Sequence, residues 1–198
     1  MKKFELTTEF ITNAFGKKLF RIKALVEFGD VKAGELGGYV EKEGNVSQAG
    51  NAWVYGNARV SGDARVSGNA WVYGNAWVSG NARVYGDARV YGDARVYGDA
   101  EVYGDAWVSG DARVCGNAWV YGNADYALVQ GFGTEFRCTT FYRGKNKKIM
   151  VNCGCFHGDL EGFRKQVKET RNGKIAKEYL MIADLMEYHF TSEDSSNE

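Results

Sequence analysis

The sequence contains no proline, only two histidines and no net formal charge. Its 26 glycines without any proline argue against collagen and against a proline-rich disordered linker. The balanced charge gives no indication of bulk nucleic acid or of an anionic membrane as a partner. No run of about 18 apolar residues is present, so we expect no membrane-spanning helix.

Two features of the sequence, its first residues and its cysteine spacing, help to predict the cellular compartment. Residues 1–5 lack the apolar segment of a secretory signal peptide. The four cysteines show no spacing typical of a disulfide framework, which favours reduced thiols. We therefore expect a cytoplasmic protein.

The sequence is rich in one six-residue pattern. Gly-(Asn/Asp)-Ala-x-Val-x runs without interruption through twelve units, from Gly50 to Tyr121. In a strand, Ala and Val point to one side and the two x residues to the other. Gly followed by Asn or Asp predicts a corner, and stacked coils would share the Ala/Val interior. Three six-residue sides give an 18-residue turn, so the twelve units predict four turns.

This pattern resembles the hexapeptide-repeat, left-handed β-helix superfamily, which also has a small and an aliphatic inward residue and a glycine-rich corner. The residue after Val departs from that family, because it is mostly Tyr or Ser here. The resemblance implies a left-handed coil and a homotrimer. The predicted fold class is mainly β, a left-handed triangular β-helix with an N-terminal β cap and a small C-terminal α+β domain. The predicted boundaries are 1–43 for the cap, 44–125 for the solenoid, 126–190 for the C-terminal domain and 191–198 for a flexible tail.

An 18-residue turn aligns the outward side chains in columns of Trp, Arg and Tyr. Three interpretations are open. The side chains could form ladders that pack on each other, they could form a subunit interface, or they could bind a ligand. Arg beside Trp and Tyr suits a nucleotide, whose phosphate and base it could hold and stack. The candidate residues for binding a ligand or partner are Trp53, Trp71, Arg89, Trp107, Tyr73, Tyr91, Arg95 and Tyr97.

No catalytic residue and no cofactor is predicted. Enzymes on this scaffold use histidine, and His157 and His189 both lie outside the repeat. An acyltransferase would need one of them as its base. Cys138, Cys153, Cys155 and His157 form a conceivable zinc site, since a strand through 153–157 would put three of them on one side. Buried thiols in a small core are the other interpretation, because the usual Cys-x₂-Cys spacing is absent.

The flanking regions predict ordinary secondary structure. Residues 18–25 alternate as a strand, and residues 136–142 and 148–153 predict a hairpin. Asp159 is the predicted N-cap of one helix, and residues 175–190 predict a second. The predicted inward residues are Leu160, Phe163 and Val167 on the first helix and Tyr179, Ile182 and Met186 on the second.

Four motifs outside the repeat carry a further resemblance: residues 21–25, 28–40, 153–156 and 177–180. Together with the repeat they resemble phage and prophage hexapeptide-repeat proteins over nearly the whole chain. This implies a phage-encoded accessory protein. We expect a non-enzymatic binder, most concretely a host-defence antagonist that sequesters a nucleotide-type signal or a host protein. The alternatives are a structural or assembly module whose C-terminal domain docks a partner, and an acyltransferase-like enzyme.

Overall fold

The computed structural model describes residues 2–191, without the side chain of Arg137. The chain divides into two compact units. The first contains the residues up to Asn117 together with Tyr121–Asn123, and the second contains Ala118–Val120 and the residues from Ala124 onward. Of the predicted tail, residues 192–198 lie outside the described part of the chain.

The first unit begins with three longer strands. These are β1 (Phe4–Thr12), β2 (Lys18–Ala24) and β3 (Leu36–Val40), paired antiparallel in that order. The strand predicted in this region is confirmed by β2. Strand β3 then pairs in parallel with the solenoid, where Tyr39 lies opposite Arg59. The N-terminal strands therefore continue one face of the solenoid through backbone hydrogen bonds.

Each hexapeptide contributes one two-residue strand, formed by its first x residue and its valine. The strands are β4 (Trp53–Val54), β5 (Arg59–Val60), β6 (Arg65–Val66), β7 (Trp71–Val72), β8 (Trp77–Val78), β9 (Arg83–Val84), β10 (Arg89–Val90), β11 (Arg95–Val96), β12 (Glu101–Val102), β13 (Trp107–Val108), β14 (Arg113–Val114) and β15 (Trp119–Val120). They stack in parallel as β4-β7-β10-β13, as β5-β8-β11-β14 following β3, and as β6-β9-β12.

The strand register has a period of 18 residues. Arg89, for example, pairs with Trp71 on one side and with Trp107 on the other. The predicted three-sided, mainly β solenoid is therefore confirmed, and so are its outward columns. The left-handed sense is the one that the resemblance implies.

The solenoid interior is built from alanine and valine. Every Ala and Val of the twelve repeats is buried, with no more than 1% of its surface exposed. Burying one valine side chain stabilises the fold by roughly 1.5 kcal/mol or more. Backbone hydrogen bonds join the coils, as where the Trp71 amide donates to the Ala88 carbonyl at 2.9 Å. The repeat thus explains the stability of the coil without involving its outward side chains.

Side-chain amides form ladders at the corners. The Asn51 Nδ2 atom donates to Asn69 Oδ1 at 3.1 Å, and Asn69 Nδ2 donates to Asp87 Oδ1 at 3.0 Å. An ionised carboxylate can only accept a hydrogen bond. Where Asn of one coil precedes Asp of the next, the carboxylate therefore has a donor, as Asp87, Asp93 and Asp99 do.

The N-terminal residues form a small core around the first solenoid tryptophan. The rings of Phe4 and Phe28 meet the Trp53 ring edge-on, with centroids 5.8 and 5.3 Å away. The Lys3 Nζ atom donates to the Ala52 carbonyl at 2.9 Å, and burial lowers the pKa of this amine to about 8. The cap is therefore packed onto the first coil by aromatic rings and by one buried lysine.

The second unit is an antiparallel sheet with two helices. Its strands are β16 (Tyr126–Phe132), β17 (Arg137–Arg143), β18 (Ile149–Cys153) and β19 (Phe156–Asp159), in the order β16-β17-β18-β19. The helices are α1 (Leu160–Thr170) and α2 (Gly173–Thr191). Phe141 and Val151 of the sheet pack with Phe163, Ile182 and Met186 of the helices. The predicted α+β domain is confirmed.

The predictions for this unit hold in most details. Strands β17 and β18 form the expected hairpin, and the Asp159 carboxylate caps α1 by accepting from the Gly162 amide at 2.9 Å. Leu160, Phe163 and Val167 are buried as predicted. Helix α2 begins two residues earlier than predicted, at Gly173. Neither of the helices in the described chain is both long and apolar enough to cross a membrane.

Candidate binding surfaces of the solenoid

Face one is formed by the outward side chains of the sheet β4-β7-β10-β13. These are Trp53, Tyr55, Trp71, Tyr73, Arg89, Tyr91, Trp107 and Ser109. The N-terminal cap covers Trp53, which is 0% exposed. The prediction of an accessible binding residue is therefore wrong for Trp53. The side chain points outward from the coil as expected, but Phe4 and Phe28 lie over it.

The rest of face one packs largely on itself. The Arg89 guanidinium lies between two indoles, with its carbon 5.3 Å from the Trp71 ring centroid and 5.0 Å from that of Trp107. Tyr73 and Tyr91 stack with centroids 4.9 Å apart and an interplanar angle of 3°. Burial raises the pKa of the Tyr73 hydroxyl above its usual value. These contacts agree with the interpretation of face one as a ladder, although Trp107 remains 45% exposed.

Face two contains a shallow pocket of about 200 Å³. Its sheet, β5-β8-β11-β14, places Arg95 between Trp77 and Arg113 in the strand register. The pocket is lined by Trp77, Ser79, Arg95, Tyr97 and Arg113. The Trp77 Nε1 atom donates to the hydroxyl of Ser61 at 3.2 Å, which fixes the orientation of the indole.

The pocket combines two cations with two aromatic rings. Arg95 and Arg113 lie on adjacent strands, which are about 4.8 Å apart. Within residues 2–191, the Arg95 guanidinium has no hydrogen-bond or ion-pair partner, whereas Arg89 of face one is stacked between two indoles. Arg113 already has an interaction within the chain, so Arg95 is the guanidinium that remains able to donate hydrogen bonds to an anion. The pocket is therefore suited to an anionic group that carries an aromatic ring.

Face three, the outward side of β6-β9-β12, has mixed charge. Arg65 and Arg83 precede Glu101 in its column. The Tyr85 hydroxyl donates to Glu101 Oε2 at 3.1 Å, and burial together with this hydrogen bond raises the pKa of Tyr85 to about 12. Because Glu101 brings a negative charge, this face is less suited to an anion than face two.

The structure distributes the eight predicted binding residues over two faces. Face one holds Trp53, Trp71, Arg89, Trp107, Tyr73 and Tyr91, while face two holds Arg95 and Tyr97. They therefore do not form a single site. The predicted binding residues did not include Trp77, Ser79 and Arg113, although the 18-residue period places these three in the same columns as Arg95 and Tyr97.

The four residues considered for zinc do not converge. The chain turns between Cys153 and Phe156, so no single strand runs through 153–157. Cys153 packs against the helix-side core, whereas His157 lies opposite Asn152 and is paired with the Tyr142 hydroxyl at 3.1 Å. Among the described residues, no group of three or more His, Cys, Asp or Glu side chains could hold a metal ion.

Comparison with known proteins agrees with the repeat architecture. The family described as YdcK Beta solenoid repeat matches residues 52–66, 64–80, 76–92, 82–98, 88–104 and 94–110. A search of curated proteins gave no match. The matched segments coincide with stacked coils whose strands pair in parallel at 18-residue intervals. The chain is therefore a β-solenoid repeat protein.

Proposed function

We propose that this protein is a non-enzymatic binding protein, and that its ligand is a nucleotide-type molecule held on face two. Arg95 and Arg113 would bind the phosphate, and Trp77 and Tyr97 would contact the base. The main support is the Arg95 guanidinium, which has no partner among the described residues and whose strand lies between those of Trp77 and Arg113.

Simple energetics favour modest affinity. Stacking of a base on an aromatic side chain contributes about 1–3 kcal/mol, and a hydrogen bond to a charged group contributes about 1.5–3 kcal/mol. Association itself costs several kcal/mol. The pocket, about 200 Å³, is smaller than the roughly 300–1,000 Å³ usual for sites that enclose a ligand. We therefore expect dissociation constants in the micromolar range.

The wider role that we propose is that of a phage or prophage accessory protein. It would act in the host cytoplasm as a homotrimer and antagonise host defence by sequestering a nucleotide signal. The support for this role is the resemblance carried by the flanking motifs, together with the pocket chemistry of face two. A host protein held on face one, at the exposed Trp107, is the corresponding proposal for a macromolecular partner.

A structural or assembly module is the second candidate. It is favoured by the self-packed aromatic ladder of face one, which gives a stiff coil without an evident ligand. Light scattering distinguishes the two, since an assembly module would form open polymers and a binding protein a closed oligomer. An acyltransferase-like enzyme would need His157 or His189, and loss of a measured activity on replacing either would support it.

Thermal-shift measurements with linear and cyclic nucleotides test the proposed ligand class. We expect at least one nucleotide to stabilise the wild-type protein, and the Arg95→Ala variant to require about ten times more ligand for the same shift. Arg83→Ala is the matched control, because Arg83 occupies the same repeat position on face three. The absence of a shift with every nucleotide would overturn the proposal.

A further inference from the structure

Helix α2 has a second apolar stripe that its own unit does not cover. Ile182, Ala183, Met186 and Phe190 face the core of the C-terminal unit. On the other side, Met181, Leu185 and Tyr188 are 61%, 58% and 71% exposed.

The spacing of these three residues, i, i+4 and i+7, is that of one helix face. Three neighbouring large apolar side chains on a single stripe are typical of a surface that packs against another helix.

The two halves of this face differ in net charge. The N-terminal half has Lys174 and Lys177 against one acidic residue, Glu178, which pairs with Lys174 at 3.5 Å. The C-terminal half has Asp184 and Glu187, which both pair with the single cation Arg164. Such a face complements a copy of itself that runs in the opposite direction, because each basic half then meets an acidic half.

We propose that this stripe is an interface with a second copy of the chain, in which two α2 helices pack antiparallel about a two-fold axis near Met181. This axis brings three pairs of residues together. Met181 faces Met181 of the second copy. Tyr188 lies on the aliphatic part of the second copy's Lys174 side chain, and Leu185 packs on the aliphatic part of its Lys177 side chain.

In this register Lys177 also faces Asp184 of the second copy, since both lie on the same edge of the stripe. Asp184 already accepts a hydrogen bond from Arg164 at 2.8 Å, which holds its carboxylate in place. The carboxylate can accept further hydrogen bonds, because its two oxygens offer about four lone pairs.

Disulfide trapping of the full-length protein tests the register. In a Cys155→Ser background, Met181→Cys should cross-link on mild oxidation and run at twice the 22.0 kDa chain mass on a non-reducing gel. Two controls should remain uncross-linked. Lys165→Cys lies on the exposed side of α1, and Leu185→Cys would face Lys177 in the antiparallel arrangement.

Light scattering supplies the independent measurement. Leu185→Glu should raise the dissociation constant of the pair at least about tenfold and halve the mass of the wild-type assembly. Lys177→Asp should weaken the pair, and adding Asp184→Lys should restore it. A trimeric solenoid would make the wild-type assembly a hexamer, so halving would leave a trimer.

An unchanged mass in Leu185→Glu, or an uncross-linked Met181→Cys protein, would overturn the inference. Cross-linking of Leu185→Cys as efficiently as Met181→Cys would contradict the antiparallel direction. Nucleotide binding on face two is unaffected by either result, so the two proposals fail separately.

Discussion

Replacing a single corner glycine measures how tightly the coils stack. Gly80 has a φ of +70°, and a Cβ atom added there would lie 2.9 Å from the Gly98 nitrogen and 3.1 Å from its oxygen. Gly56 has a φ of +57°, but the nearest atom to an added Cβ is the Gly74 oxygen at 3.8 Å. The two positions therefore share the backbone conformation and differ in steric space.

The two alanine variants should differ in stability for this reason. A left-handed conformation costs an L-residue about 1–2 kcal/mol, which applies to both. Overpacking adds about 1–3 kcal/mol at Gly80 alone, because backbone atoms of the next coil would have to shift. We expect Gly56→Ala to lose about 1–2 kcal/mol and Gly80→Ala about 2–5 kcal/mol of unfolding free energy.

Urea denaturation followed by circular dichroism gives the comparison. With a slope of about 2 kcal/mol per molar urea, an extra 2 kcal/mol lowers the midpoint of Gly80→Ala by about 1 M relative to Gly56→Ala. Equal midpoints for the two variants would contradict this explanation, since the close stacking of successive corners would then not affect stability.

Three further predictions concern the cap and the second unit. The pKa of Lys3 is about 8 in the fold and 10.5 in the unfolded chain, so above pH 8 the folded state releases a proton that the unfolded state keeps. The stability of the wild type relative to Lys3→Met should therefore rise between these pH values, by up to about 1.4 kcal/mol per pH unit, as urea midpoints at about pH 7 and about pH 10 will show. Trp53→Ala should cost about 3–5 kcal/mol and the exposed Trp107→Ala less than about 1 kcal/mol, which thermal denaturation of both variants would check. Asp159→Ala removes the cap of α1 and should cost about 1 kcal/mol in urea unfolding, with restoration by Asp159→Asn.

The repeat could be predicted from the sequence because each of its periods follows from backbone geometry. Alternation at every second residue sets which side chains point inward, and glycine at every sixth sets the corners. The columns Trp71, Arg89 and Trp107 then follow from the 18-residue turn and agree with the observed register. The role of Asp159 as an N-cap could also be predicted, since a carboxylate just before an apolar helical pattern is typical of an N-cap.

Other features depend on contacts between distant segments. The covering of Trp53 by Phe4 and Phe28 joins residues far apart in sequence, which no local pattern indicates. The metal hypothesis was wrong because a turn between Cys153 and Phe156 reverses the chain. The pocket on face two depends on how large outward side chains pack, and periodicity specifies their columns without specifying their packing.

Isothermal titration of the Trp77→Ala variant is the sharpest test of nucleotide binding on face two. The nucleotide that gives the largest thermal shift, and inorganic phosphate alone, would each be titrated into the wild-type and variant proteins. We expect Trp77→Ala to weaken nucleotide binding by at least about fivefold, because stacking on the indole is lost, and to leave phosphate binding unchanged. Equal nucleotide affinity in the two proteins would contradict the assignment of the site to face two.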